Sequence, residues 1–452
     1  MSMHRFMMSY NFDQVPYVDI GWWKQPTYTF NGTNVMGSSL IYDFNGLMWD
    51  KTQANTALLV KYGPPSGQLA YTFMQVYSVA TGQTINSVDI TNPEAATVYP
   101  KYGNPVTQSN SGNTFFVCTN EVVRLTVANA TSHWSTNSNT NIYDAVATDD
   151  VIVIGGRGAT ANPNSWIRFV NHGDGTTVQN TYTACTLFLV SSSQLRKLYT
   201  NEAQNMIFWF GRNSTSGTCY FKSFWAANGV LYSSNTCSRA LGYMTMEGSD
   251  RADSSNVLYM RGTYVAQTDD FCKVVCNTKP PTISWGKTVP AGNIVSIISP
   301  DGTGNCYVGQ QNGDFDFVLS KVDTNGSALW SRSITELRTG TFKIKPLGLI
   351  ADSEQFVIWL QIVEMFFEPK WGTWFEGSSQ EDIMLRLPSS GANTGSYNNV
   401  SYASITTQTF TSWSGSYTTA FDATDYSPNS TLESNTMTVT ANSGKNITAN
   451  TI

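Results

Sequence analysis

An apolar strand, a polar turn ending in Asn, Asp or Gln, and a second apolar strand recur as one unit seven times along the chain. The unit reads GLMWDKTQANTALLVKYG from Gly46 and GLIADSEQFVIWLQ from Gly348. Between them lie VTQSNSGNTFFVCT, AVATDDVIVIGG, LYTNEAQNMIFWFG, GSDRADSSNVLYMRG and SIISPDGTGNCYVG. Taking the last turn residue as anchor gives Asn55, Asn113, Asp150, Asn205, Asn256, Asn305 and Gln355, spaced by 37 to 58 residues with a mean of 50. Each copy is followed by a second hairpin, clearest in FVLSKVDTNGSALWSRSI, where Asp323 to Gly326 supply turn chemistry between two alternating strands. Two hairpins in about fifty residues are four strands, the size of a propeller blade. The sequence therefore predicts an all-β fold, a seven-bladed β-propeller with four-stranded blades over residues 46–405, with very little helix, since no sustained 3.6-residue period occurs. The irregular lengths of the first and third units leave six or eight blades open. A sandwich would not repeat the same two-hairpin unit in register, and a linear solenoid has a shorter period.

Composition limits the function classes. At 452 residues the chain is about three ordinary domains long, so a single domain requires a repeat architecture. Charged residues and aromatics each make up 13%, which excludes a disordered chain and points to a body held by aromatic packing. A net charge of -6 provides no footprint for phosphate backbones or anionic lipid, so nucleic acid is not an expected partner. The most apolar stretch, residues 356–367, is interrupted by Gln361 and Glu364 and is too short to span a membrane. No secretory signal is expected from the first residues, which lack an apolar run and a small-residue cleavage site. Seven cysteines are too sparse for a disulfide framework; Cys272 and Cys276 share one strand face and read as small core residues.

The chemistry-bearing motifs are missing. His4, His133 and His172 have no ligand-spaced neighbours, and the two later histidines, in or beside hairpin turns, read as surface residues. Neighbouring acids, Asp149 with Asp150, Asp269 with Asp270 and Glu381 with Asp382, point to opposite faces of a strand and make no acid/base pair. Neither catalytic residues nor a metal site nor a cofactor is expected, and the chain reads as a non-enzyme. The tryptophans Trp134, Trp285 and Trp330 recur just after the second turn and are expected to fill the gaps between wedge-shaped blades. One excursion stands out: residues 365–382, MFFEPKWGTWFEGSSQED, lengthen the seventh unit and carry Phe366, Phe367, Trp371, Trp374 and Phe375. These aromatics are the candidate binding surface, for a protein in the first instance and for a glycan in the second.

From about Pro388 the composition changes, and 34 of the last 65 residues are Ser, Thr or Asn, too polar to build a core alone. Within residues 406–452, read as a C-terminal arm, Phe410, Trp413, Tyr417 and Phe421 are the expected anchors against another subunit or a second copy of the arm. Residues 1–45 precede the first unit and are read as an N-terminal arm. A seven-unit propeller ending in IMLRLPSSGANTGSYNNVSYAS and a Ser/Thr-rich arm resembles virion structural proteins of tailed bacteriophages, which carry quinoprotein-like propeller repeats, a Leu-Pro-x-x-Gly turn and a Thr-punctuated tail. The resemblance implies a virion location on tail or capsid and other virion proteins as partners, while the arm's isolated apolar residues leave a homo-oligomer through the arm open. It implies no quinone cofactor, because no residue set here matches one. The alternative is a phage carbohydrate-binding or carbohydrate-active propeller acting on host glycans.

Overall fold

The computed structural model describes residues 21–24, 28–30, 33–35, 45–63, 71–91, 106–117, 121–128, 131–137, 141–157, 165–173, 175, 186–189, 193–201, 203–213, 219–227, 229–237, 257–263, 269–312, 316–371, 373–419, 433–435, 438–441 and 450–451. All regular structure among them is strand, and it forms seven antiparallel blades and one small two-stranded ribbon, Tyr28–Phe30 with Thr33–Val35. The first blade runs Asn45–Trp49, Thr56–Gly63, Tyr71–Ser78, Thr84–Thr91, each strand paired with the next. The second, third, fourth and sixth repeat this order, starting at Val106, Asn141, Ser193 and Asn293. In the fifth blade the described strands are Val257–Thr263, Asp269–Val275 and Thr282–Thr288; the position of its first strand lies outside the described residues.

The hairpins anticipated from the sequence are the turns between first and second strands, and the side chain that shapes each turn sits at its beginning. Asp50, Asp301 and Asp352 each accept backbone N–H bonds two to four residues on, from Thr52, from Thr303 and Asn305, and from Glu354 and Gln355. Asn201, Ser109 and Thr148 do the same for Asn205 and Met206, Asn113, and Val151. Short polar side chains of this kind close a turn by replacing a backbone acceptor, which is why the unit tolerates Asp, Asn, Ser or Thr there. Asn55 sits in the left-handed region at φ 56°, a conformation Asn adopts more easily than most residues.

Seven apolar clusters fill the seven seams between neighbouring blades. That between the seventh and first blades joins Trp22, Ile350, Val357 and Trp359 to Leu47, Trp49, Leu59 and Tyr77, so the ring is closed. Backbones approach closely here: a Cβ on Gly348 would lie 2.5 Å from the Leu47 Cβ. Trp49 Nε1 donates to the Ala351 carbonyl across the same seam at 3.1 Å. Cys272 and Cys276 are buried in the seam between the fourth and fifth blades, as small core residues should be.

Two expectations are corrected at the closure. The fourth strand of the seventh blade is Trp22–Lys24, supplied from within the stretch read as an N-terminal arm and paired with Met384, Leu385 and Arg386. By its order in the sequence the second hairpin of the seventh unit is IMLRLPSSGANTGSYNN, but Gly395–Tyr397 from its end, together with Val400–Ser404 just beyond, joins the outer edge of the sixth blade instead. The turn after Pro388 sends the chain back: Gly391 has φ 73° and donates to the Pro388 carbonyl, and the strand beyond it meets the sixth blade's outer edge before any free edge of its own.

The expected C-terminal arm is likewise laid on the chain itself. Beyond Val400–Ser404 on the sixth blade, Thr411–Trp413 pairs with the fifth, Tyr417–Thr419 with the fourth, Glu433–Asn435 with the second, Thr438–Ala441 with the first, and Asn450–Thr451 with Trp22–Lys24 on the seventh. The segment is thus a belt that visits blade edges in the reverse of chain order. An outer strand leaves a row of unpaired N–H and C=O groups, and a polar Ser/Thr-rich chain satisfies them without needing a core of its own. Phe410, expected on another subunit, is buried between the fifth and sixth blades with its ring 5.0 Å from that of Phe271. Trp413 is half-buried against the seam between the fourth and fifth blades. Tyr417 lies in the belt strand opposite Cys237, and Phe421 lies outside the described residues.

Candidate functional site

The seventh blade departs from its neighbours in one respect. Its second and third strands, Gln355–Glu368 and Thr373–Pro388, are 14 and 16 residues long, about twice the length of their counterparts in most other blades. They run together beyond the sheet as a two-stranded ribbon on the face opposite the turns described above. A register shift between Val363 and Met365 marks where ribbon leaves blade. Met365 is buried at the base and donates its N–H to the Thr341 carbonyl at 2.8 Å, the last tie to the first strand's neighbourhood. A second tie fixes the direction of exit. Arg338 bonds Glu336 at 2.8 Å and Glu381 of the third strand at 2.9 Å, with its guanidinium 4.7 Å from the Phe342 ring centre. Those contacts, led by the hydrogen bond to Glu336, hold the Arg338 pKa above its ordinary value.

Beyond Met365 the alternation of the strands sorts the aromatics onto both ribbon faces. Phe366 faces Phe375 across the strands, rings 5.9 Å apart and 24° from parallel, and Phe367 faces Trp374 at 5.3 Å. Trp371 caps the turn, its N–H donating to the Glu368 carbonyl and the Lys370 ammonium 5.0 Å from its ring. These cross-strand pairs stabilise the ribbon by about 0.5–1.5 kcal/mol each, yet they leave much of every ring in water. Phe366, Phe367, Trp371, Trp374 and Phe375 are 50, 47, 66, 38 and 40% exposed. The sequence-predicted binding residues are therefore brought together, and in the open. Among the described residues, Phe366–Glu368 and Thr373–Glu376 have no strand partner other than one another, so the backbone edges of the tip are open as well.

Among the described residues no group of three or more His, Cys, Asp or Glu is placed to hold a metal ion. His133 is exposed, with Nε2 2.8 Å from the Thr126 hydroxyl. His172 departs from the surface reading: it is buried against Phe115 at 4.8 Å, because the turn that carries it folds onto the seam between the second and third blades. Burial lowers its pKa below the ordinary value. Of the neighbouring acids, Glu381 reaches out to Arg338 and Asn398 while Asp382 is buried beside Gln361. First-turn residues meet over the axis on the turn face: Gln204 of the fourth blade accepts from the Asn110 N–H and donates to the Gln108 carbonyl of the second.

A set of residues with no sequence-level expectation also repeats. At one position of the third strand stand Arg124, Lys273, Lys321 and Arg386, paired on the second strand with Phe115, Tyr259, Tyr307 and Val357, each of which faces the seam to the next blade. Arg124, Lys273, Lys321 and Arg386 lie directly opposite Trp134, Trp285, Trp330 and Trp22. The cation reaches back to the first turn of its own blade: Arg124 to Asn113 at 2.6 Å, Lys321 to Asp301 at 3.3 Å, and Arg386 to Gln355. The indole reaches forward to a carbonyl in the second-turn region of the next blade, Trp285 to Thr324, Trp330 to Ser389 and Trp22 to Val79. The expected role of Trp285 and Trp330 as seam residues is met, and Trp22 does the same work from the N-terminal strand. The signal was legible as a basic residue between uncharged neighbours, in VRL, CKV, SKV and LRL.

No family model matches the chain, and no curated protein matches it. Among solved structures, similarity extends to a crystal structure of the mitotic checkpoint complex at 12% identity, TM-score 0.48, covering 79% of this chain and 94% of the other. The β-propeller domain of the Trilobed protease from Pyrococcus furiosus, described as having an open velcro topology, is 9% identical with TM-score 0.41 and coverage of 74% and 97%. The WD40 domain of Toxoplasma gondii coronin is 9% identical with TM-score 0.43 and coverage of 82% and 87%. The blade count rests on the seven sheets and seven seams of this chain itself.

Proposed function

We propose that the chain is a non-enzymatic structural protein of a tailed-phage particle, carried on tail or capsid, whose rigid ring presents the seventh-blade ribbon to a neighbouring protein. The phage setting is supported by the sequence resemblance of the propeller units, the Leu-Pro-Ser-Ser-Gly turn and the Ser/Thr-rich segment after it. The docking role is supported chiefly by the ribbon: five aromatics between 38 and 66% exposed project from a blade in which Phe356, Trp359 and Leu385 are fully buried. A soluble surface rarely gathers so much apolar area without a partner to cover it. The low charge elsewhere limits nonspecific ionic contact.

The test is a mass-spectrometric inventory of purified particles made with wild-type chain or with Phe366, Trp371 and Trp374 all changed to Ser. The reading expects the wild-type chain at fixed copy number and loss of the variant from particles. A chain absent from particles, or a variant retained at full copy number, contradicts it. Copy number near that of the capsid protein places it on the capsid, and a low number on the tail.

A second reading, glycan binding, has one observation in its favour: the near-parallel Phe366 and Phe375 rings offer a flat apolar face of the kind on which sugar rings stack. A glycan array on which the same variant retains all signal, or on which the wild type has none, disposes of it.

A further inference from the structure

The belt strand on the fifth blade is recognised by side chains as well as by backbone. Thr411, Ser412 and Trp413 pair with Thr288, Lys287 and Gly286, so the indole of Trp413 lies directly over a residue with no side chain. A Cβ on Gly286 would come within 2.3 Å of the Trp413 ring, which makes the glycine one wall of an indole socket. Three residues earlier Phe410 is buried edge-on to Phe271, with centroids 5.0 Å apart and planes at 87°. Lys287 Nζ donates to the Ser412 hydroxyl at 2.9 Å, and the Gln408 N–H donates to the Ser331 hydroxyl at 2.9 Å. Backbone pairing alone would accept any extended segment. A socket for Trp and a slot for Phe three residues before it select one.

We propose that this outer edge, formed by Thr282–Thr288 with Phe271 and Ser331, is a strand-acceptor site for an extended segment with Phe-x-x-Trp spacing, and that it takes residues 406–419 of a second copy of this chain whenever its own are displaced. The belt strand here has three residues, and three more pair with the fourth blade after a link of three. So short a strand opens locally at low cost while the ring stays folded. An edge opened in this way presents unpaired backbone and an empty socket, and the matching ligand is present on every other molecule. Exchange of an identical element between copies is a general route to self-association.

Two full-length variants separate acceptor from donor. Trp413→Ala empties the socket. Gly286→Val fills it and expels an intact Trp413-bearing segment. A fluorescent synthetic peptide of residues 406–419 should bind the Trp413→Ala chain saturably, at least ten-fold more tightly than wild type, whose site is occupied. The same peptide with Ala at the Phe410 and Trp413 positions, or a Trp413→Ala/Gly286→Val chain, should show no saturable binding. In analytical ultracentrifugation a mixture of Trp413→Ala and Gly286→Val chains should form a complex that neither forms alone. Circular dichroism and a cooperative melt establish that each variant is folded. Absence of peptide binding and of the mixed complex between folded variants overturns the proposal, as does equal binding to the double variant. Should Gly286→Val fail to fold, peptide binding to Trp413→Ala, or to Phe410→Ala with its slot emptied, decides alone.

Discussion

Asp301 illustrates how single residues hold a blade. Its carboxylate accepts the N–H groups of Thr303 and Asn305, takes the Thr303 hydroxyl at 2.7 Å, and meets Lys321 from the third strand at 3.3 Å. Burial by itself would raise its pKa, but the bonds from Thr303 and Asn305, aided by the Lys321 charge, outweigh that and leave it below the ordinary 3.8. A carboxyl held lower in the folded than in the unfolded chain contributes stability that is complete above the unfolded value and is lost as pH falls through the folded one. Asp301→Asn should therefore be destabilised relative to wild type at pH 7, and the gap should shrink in denaturant melts as pH is lowered beneath 3.8. Asp301→Ala, which also removes the turn acceptor and strands a buried ammonium, should cost about 3 kcal/mol. Nearby, burial above all pushes the Cys306 thiol well above its ordinary value, with the Asp301 charge adding to the effect. Cys272, Cys276 and Cys306 are all buried, so peptide-mapped alkylation at pH 8 should leave them unmodified in the folded chain and label them once it is unfolded.

At the scale of the element, the fourth strand of the seventh blade and the aromatic ribbon behave in opposite ways. Trp22 is 3% exposed, packs edge-on to Tyr77 at 6.3 Å and bonds the Val79 carbonyl at 2.6 Å, so it is part of the seam that closes the ring. Trp22→Ala should cost about 3–5 kcal/mol in an equilibrium unfolding experiment. The ribbon rings are 38 to 66% exposed and lie outside the seven seam clusters, and changing Phe366, Trp371 and Trp374 to Ser should leave the melting curve nearly unmoved while abolishing partner contact. These two elements also show what the sequence could and could not disclose. The ribbon aromatics were legible because five large rings interrupt a regular unit, and alternation along a strand is read directly from order. Trp22–Lys24 was not, because three residues far from their partners carry no turn signal, and pairing across more than 350 positions leaves no local trace. The belt was missed for the same reason. Isolated Phe and Trp in a polar tract declare that something covers them, but only the free edges of the blades tell what.

For the whole molecule, seven units in register were readable from turn chemistry alone, while the outer strand of the seventh blade and the closure of the ring were not. A ring of blades has its weakest seam where the first and last meet, and here both ends of the chain are brought to that place: Trp22–Lys24 completes the seventh blade, and Asn450–Thr451 pairs with it from outside. The belt between them covers the edges of at least six blades, which removes the exposed strands that otherwise invite association. Truncation after residue 406 should accordingly leave a chain that aggregates at lower concentration than the full one, by light scattering. Closure by the N-terminal strand is the claim on which the architecture depends, and amide hydrogen exchange of the full-length chain, resolved for peptides covering residues 21–24, measures it. Protection of those amides comparable to that of Thr373–Pro388, their partner strand, is the predicted result. Exchange of residues 21–24 at the rate of an unstructured peptide, with the seventh blade otherwise protected, would contradict it.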